Sequence, residues 1–422
     1  MNHSHVTLGL LLALSISTAA VAQEIVAVKA GKVITMTGSD FDNAVILIED
    51  GRISQVGPNI EIPWNAKVVD ASDKTVMPTW VIAHCSGGMD GANERMENVP
   101  FLSVADGVDP SDSFFEEALR NGVGCMNVMP GNSTLLGGTG MVLRPTGATV
   151  EDMAMRDRSG LKLSLGSSDA GKVAQIRKLR RTLEDARDAE QELERKRAEF
   201  EREKAAGATD EKEFEEKHPE EKQAVVDLIH GKLRGYLYVG GTADVAEVGR
   251  MKKTWADLDL VLVAGPETYK AAHALAQLGL PVVLDWNALE FWETDPITEE
   301  ESLVSPVKVF DAAGISLVLG ISNNIGSPSR YPWWQIATAV RNGVDRQTAM
   351  RALTVEPAKL LGLGDDLGSI EPGKIANLQV LTGDPIQATT WVETVLLEGE
   401  VVYERADDLR LQHLFGGKGS GN

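Results

Sequence analysis

Histidine, cysteine and basic charge are all scarce in this chain, and each shortage removes a class of function. Only Cys85 and Cys125 are present, so no disulfide framework exists. One bridge in an oxidising compartment and two free buried thiols both remain open. Lys and Arg number 41 against 62 Asp and Glu, a formal charge of −21. Binding to a phosphate backbone needs a basic face, which sets nucleic-acid partners aside. Beyond the N-terminus no segment approaches the roughly 20 apolar residues that span a bilayer. The chain of 422 residues has ordinary hydrophobic content, 43%, enough for one large α/β domain and a smaller companion.

The one apolar run, Leu8 to Leu14, is followed by small residues and by Ala20-Val21-Ala22 before Gln23. This pattern reads as a signal peptide over residues 1–22, cleaved after Ala22, although its first residues hold no Lys or Arg. The mature chain is expected to be exported, soluble, and periplasmic or extracellular. Of seven histidines, His3 and His5 fall in this leader, leaving His84, His218, His230, His273 and His413.

Residues 24–77 alternate short β-rich runs with turns, and similar material returns in Ala376–Leu381 and Val392–Tyr403. The two segments, residues 24–77 and 368–405, are expected to form one composite β-sandwich domain. Between them, over residues 78–367, strand and helix alternate, which supports a parallel sheet. Strand candidates are Thr79–His84, Val123–Met129, Leu161–Leu165, Gly235–Val239, Leu258–Ala264, Pro281–Asp285 and Ile315–Ile321. That makes seven, and a closed eight-stranded barrel needs one more. The Gly-rich run Asn132–Gly140 lacks the Lys-Ser/Thr ending of a phosphate loop and reads as a tight loop at a barrel mouth.

Residues 171–221 form a charged insertion. Apolar side chains recur at Ile176, Leu179, Leu183, Ala186, Leu193 and Phe200, the spacing of one helix face. Gly207 breaks this helix, and Asp210 with Glu213 resembles a capping box for a second. A solvated hairpin packed by one apolar stripe is favoured over a coiled-coil partner site. The tail, residues 406–422, is expected to be flexible.

Pro78-Thr79-Trp80-Val81-Ile82-Ala83-His84-Cys85-Ser86 is the most informative stretch. Residues i and i+2 of a strand share a side, so His-x-His there would aim two imidazoles at one metal. Here Ser86 occupies the second position. With Asn121 through Gly131, Leu136-Gly137-Gly138, Leu367-Gly368-Ser369-Ile370-Glu371-Pro372-Gly373-Lys374 and Thr382-Gly383-Asp384-Pro385, this stretch resembles the amidohydrolase superfamily, imidazolonepropionase-like and exported. The resemblance covers about residues 24–405. It implies an α/β fold, a (β/α)8 TIM-type barrel with the composite β-domain and the helical insertion. It also implies hydrolysis of non-peptide C–N bonds, amide or cyclic amide, assisted by one or two divalent metals such as zinc.

The implied ligands carry over poorly. His84 matches the first and Ser86 replaces the second, while Lys162 stands near the middle-strand carboxylate or carboxylated lysine. No His follows Tyr238-Val239 or Val263-Ala264, and Ser322 stands where an Asp would serve as base. Metal binding lowers the pKa of water from about 15.7 to about 7, so losing it forfeits up to roughly 12 kcal/mol of nucleophile availability. The candidate site residues are therefore His84, Asp285 and Lys162, with His84 as sole metal candidate and any metal absent or weakly held. Cys85, beside His84, is expected to face away from it. Lys162 is expected inside the barrel, as an ion-pair partner or, with a depressed pKa, a Schiff-base lysine. Trp286, Trp292, Trp333 and Trp334 are expected on late loops as packing residues or a ligand-stacking surface. Two readings follow: a C–N hydrolase with an altered site, or a non-catalytic protein that binds a small molecule or supports an active partner. Homo-oligomers and hetero-oligomers with a paralogue are both compatible with the sequence.

Overall fold

A computed structural model describes residues 25–166, 171–206, 213–214, 217–324 and 326–415. The expected leader, Gly207, Asp210 of the expected capping box and the final seven residues lie outside them. Four strands from the N-terminal side, Ile25–Val33, Phe41–Glu49, Arg52–Gly57 and Lys67–Pro78, share one sheet with three from the far end. Those three are Leu378–Leu381, Val392–Leu397 and Glu400–Glu404. The splice is antiparallel, Leu378 opposite Pro78 and Val380 opposite Val76. A single continuous seven-stranded sheet results, which corrects the expected sandwich. Two tight turns set its outer registers, Asp50-Gly51 and Glu398-Gly399, each with both residues at positive φ as two-residue hairpins require. Period-two burial of Val26, Val28 and Ala30 then joins Ile46, Ile48, Val76, Leu378, Val380 and Leu396 in one core.

The middle of the chain is mixed α/β. Trp80–Cys85 and Val123–Val128 pair in parallel, as do Leu161–Ser164, Gly235–Val239, Leu260–Ala264 and Val282–Leu284 in that order. Residues 317–321 bridge the two sheets on one side. Leu319 pairs in parallel with Leu284, and Ile321 N–H meets the His84 carbonyl at 3.4 Å. On the other side stand Leu136–Thr139, antiparallel to Leu161–Ser164, and Met141–Leu143, antiparallel to Val123–Val128. The Gly-rich run expected as a loop therefore supplies β-structure. Gly138 explains why glycine is needed there, since a Cβ would lie 2.4 Å from the Leu102 carbonyl.

The insertion is a 34-residue helix, Lys172–Ala205, with Leu179, Leu183 and Ala186 buried in the main core. A second helix begins only at Glu220, after Pro219, and runs to Ile229. No described helix is long and apolar enough to cross a membrane. Both cysteines are free and buried. The tail has regular structure as far as residue 415. Helix Leu409–Phe415 starts from Asp408, whose carboxylate accepts from Arg120 Nε at 2.7 Å and from the Tyr403 hydroxyl at 3.1 Å.

Burial alone would raise the pKa of Asp408, but Arg120, the Leu411 amide and Tyr403 hold it at about 2. A carboxylate so depressed stabilises the fold above its ordinary value of 3.8, and loses that contribution as pH falls toward 2. Asp408→Ala is expected to cost about 1–3 kcal/mol at pH 7, the range for a hydrogen-bonded charge whose partner is left unpaired. Thermal unfolding should show that gap narrowing below about pH 4 as the wild-type group protonates, and limited proteolysis should release the tail first.

Candidate functional site

Three residues far apart in sequence meet where the parallel strands end. His84 is the penultimate residue of Trp80–Cys85, Lys162 the second of Leu161–Ser164, and Asp285 directly follows Val282–Leu284. Lys162 pairs in register with Tyr236, which belongs to an inner apolar group with Ala83, Val261, Val263, Val283 and Val318. Lys162 therefore points into the same interior. The first strand is irregular between Ile82 and Cys85, so Ala83 joins this inner group while the adjacent His84 still reaches Lys162.

The lysine is the hub. Its Nζ lies 2.8 Å from His84 Nε2 and donates to Asn132 Oδ1 at 2.6 Å. When Lys162 is protonated it has donors only, and Nε2 is then the acceptor with the imidazole proton on Nδ1. Asn132 in turn donates through Nδ2 to Asp285 Oδ2 at 3.4 Å. Ser164 Oγ donates to the Asn132 carbonyl and fixes its backbone. Asp285 influences Lys162 through its charge, and the contacts of Lys162 are with neutral groups, so the expected ion pair is not a direct one. Asn132 was not singled out from the sequence. The available signal was its position just after Pro130-Gly131, at the exit of a strand.

Lys162 has no exposed surface, and His84 and Asp285 are 4% and 5% exposed. Burial draws the lysine down to about 7, with Asp285 opposing. The same burial pushes Asp285 up to about 6, opposed by Lys162, the Trp286 amide and Asn132. His84 is held well below its usual value by burial and then by the Lys162 charge. Cys85 takes no part. Its Sγ lies 3.6 Å from the Asn127 carbonyl, and burial pushes its thiol up to about 12.

The other positions expected to carry ligands are committed elsewhere. The Gly240 and Gly241 amides donate to Asp244 at 2.9 and 3.2 Å. Gly265 faces Tyr238, whose hydroxyl would lie 2.6 Å from any Cβ, so a histidine there would collide. Buried Ser322 accepts from the Asn324 amide at 3.0 Å, and the Ser86 carbonyl accepts from Asn323. His230, in the turn after the helix ending at Ile229, pairs with Glu190, and His273, on the helix Ala272–Leu278, contacts Gln277. Among the four late tryptophans, Trp292 is exposed while Trp334 packs on the core.

The insertion crosses this mouth. Lys172 donates to the Leu165 carbonyl and pairs with buried Asp244 at 2.9 Å. Lys178 pairs with Glu97 in the loop after the first parallel strand. Arg180 grips buried Glu247 through two bonds of 2.7 and 2.5 Å, the bidentate geometry that favours arginine.

The Amidohydrolase family profile matches residues 249–403. An amidohydrolase from Thermotoga maritima MSB8 superposes with a TM-score of 0.76 at 26% identity, covering 90% of this chain and all of that one. The profile match and this likeness support an amidohydrolase superfamily member. It is also similar to the N-substituted formamide deformylase of Arthrobacter pascens, 30% identical over 180 residues, which is 39% of this chain and 30% of that enzyme. The curated relatives it matches are covered over 40% of their length or less. An adenosine deaminase from Xanthomonas campestris with bound zinc shares the fold, with a TM-score of 0.50, 17% identity and coverage of 89% and 92%.

Neighbours of this kind point to divalent-metal use in the superfamily. The donor set of this member does not suit such an ion. Among the described residues the one histidine at this mouth is His84, and its Nε2 faces Lys162 Nζ at 2.8 Å, a cation whenever that amine is protonated. Among the described residues no three His, Cys, Asp or Glu side chains converge.

Stability measured against pH tests the lysine hub. Lys162, lowered from 10.5 to about 7, binds its proton more weakly in the folded state, so its penalty is complete below the folded value and fades as pH rises toward 10.5. Lys162→Met is expected to match or exceed wild-type stability at pH 7, as hydrophobic replacements of buried charges do. Chemical denaturation should show the difference shrinking toward pH 10. A variant that is less stable at every pH would contradict the buried-charge account.

Proposed function

We propose that this amidohydrolase-superfamily protein has exchanged metal-dependent C–N hydrolysis for a lysine-centred pocket, and acts by binding a small molecule or supporting an active partner. The observation that carries this reading is the contact of Lys162 with His84 Nε2. It places a resident cation on the atom a metal would need. A neutral Ser322 hydroxyl is a weak general base, and without an activated water the missing acceleration is on the order of 10 kcal/mol. The pairing on both sides of the two parallel sheets supports a closed barrel of eight positions, one of them filled by the antiparallel residues 136–143. In this reading residues 1–22 direct export, and the site works in the periplasm or outside the cell.

A second reading, hydrolysis of a formamide or related C–N bond, is favoured by the similarity to the formamide deformylase. In it, His84, Asp285 and Lys162 would be the reacting groups. Elemental analysis of the purified full chain together with an N-substituted formamide assay separates the two. The proposed reading expects far less than one metal equivalent and hydrolysis at the buffer rate. One or two bound zinc equivalents, as catalytic zinc sites hold, with turnover lost on chelation would overturn it.

A further inference from the structure

Two exposed apolar patches of opposite charge stand on the described surface, and neither belongs to the site. The first is the hairpin Phe291–Thr294 with Glu301–Val304. Its inner face is engaged. Phe291 meets Tyr269 edge-on with ring centroids 6.0 Å apart, and Glu293 accepts from the Tyr269 hydroxyl at 2.9 Å and from Lys270 at 2.8 Å. Strand alternation turns Trp292 and its cross-strand partner Leu303 outward. Trp292 is 67% exposed, and Ile297 at the turn is 89% exposed. Residues 290–304 contain six acidic side chains and no Lys or Arg.

The second patch is the helix Leu409–Phe415. Leu414 and Phe415, neighbours on one side of this helix, are each 71% exposed. From residue 409 onward the sequence holds Arg410, His413 and Lys418 with no Asp or Glu, an inversion in a chain of formal charge −21. Asp408 anchors this helix to Arg120, and Glu293 anchors the hairpin to residues 269–270. Each patch is thus tied to its own support with its apolar face uncovered.

We propose that the helix Leu409–Phe415 of one copy docks on the outer face of the hairpin of a second copy. Leu414 and Phe415, which flank Leu411 on one side of the helix, cover Trp292 and Leu303, and Arg410 turns toward Glu299 to Glu301. Arg410 now pairs with Glu116 at 2.9 Å with both side chains about half exposed, and an exposed pair of this kind is worth about 0–1 kcal/mol, so it exchanges readily. Donor and acceptor surfaces differ, so the contact is heterologous, and copies add head to tail into a ring or an open chain. A two-turn helix on a hairpin lies at the small end of interface sizes, below about 1,200 Å². The association is accordingly weak, and its ionic part is sensitive to salt.

Light scattering of the purified full chain over a concentration series, at low and at about 0.5 M salt, tests the proposal. The expected result is a mass above the monomer that grows with concentration and falls with salt. The double variants Trp292→Ser/Leu303→Ser and Leu414→Ser/Phe415→Ser should each be monomeric. Their mixture should form a dimer, because one retains the helix and the other the hairpin. A charge reversal that leaves the apolar residues alone guards against misfolding. Arg410→Glu should dissociate the assembly, and pairing it with Glu300→Lys/Glu301→Lys in the same chain should restore it. A monomer at every concentration and salt, an assembly indifferent to either double variant, or a mixture that stays monomeric would overturn the proposal.

Discussion

An ammonium without a contacting carboxylate is costly to bury, and the interior of this protein is arranged around one. Lys162 makes its two close contacts with neutral groups, the ring of His84 and the amide of Asn132. Asn132 relays the link to Asp285. Each member constrains the next: the lysine fixes the imidazole tautomer, and the asparagine must present oxygen to one neighbour and nitrogen to the other. A divalent ion would need the same lone pair on His84. The network and a metal centre are therefore alternatives at that atom, and the substitutions elsewhere around the mouth agree with the network.

The loss of ligands is more than an absence. Tyr238 fills the space above Gly265, Asp244 collects the amides of Gly240 and Gly241, and Ser322 is folded into its own turn. Those groups are built into the local structure, so a single histidine added back would meet a tyrosine or break a cap. The insertion reinforces this by pinning Asp244 and Glu247 from above with Lys172 and Arg180. Burial of Leu179, Leu183 and Ala186 holds that helix down, so the ion pairs chiefly orient it.

Much of the fold was legible because it rests on short-range patterns. The strand Gly235–Val239 appears at the residues its periodicity indicates. So does the apolar stripe of the insertion through Leu179, Leu183 and Ala186. Less regular signals misled. Asn132–Gly140 reads as a loop because glycine is rare in strands, yet close approach to the Leu102 carbonyl is what requires it. The β-rich ends read as a sandwich because alternation reports one buried face and is silent about how many hydrogen-bonded layers share it. In the tail, nothing local announces that Asp408 finds Arg120 nearly three hundred residues earlier.

The site divides in the same way. Residue identity and strand alternation were enough to nominate His84, Lys162 and Asp285, and to place Ser86 where a second histidine was sought. Only the tertiary structure decided that these three converge, that Asn132 joins them, and that the lysine amine lies 2.8 Å from His84 Nε2. The reason is physical. Alternation along a strand is set by local backbone geometry and can be read residue by residue. Which buried charge meets which partner depends on register between strands and on desolvation, and those exist only once the chain has closed around them.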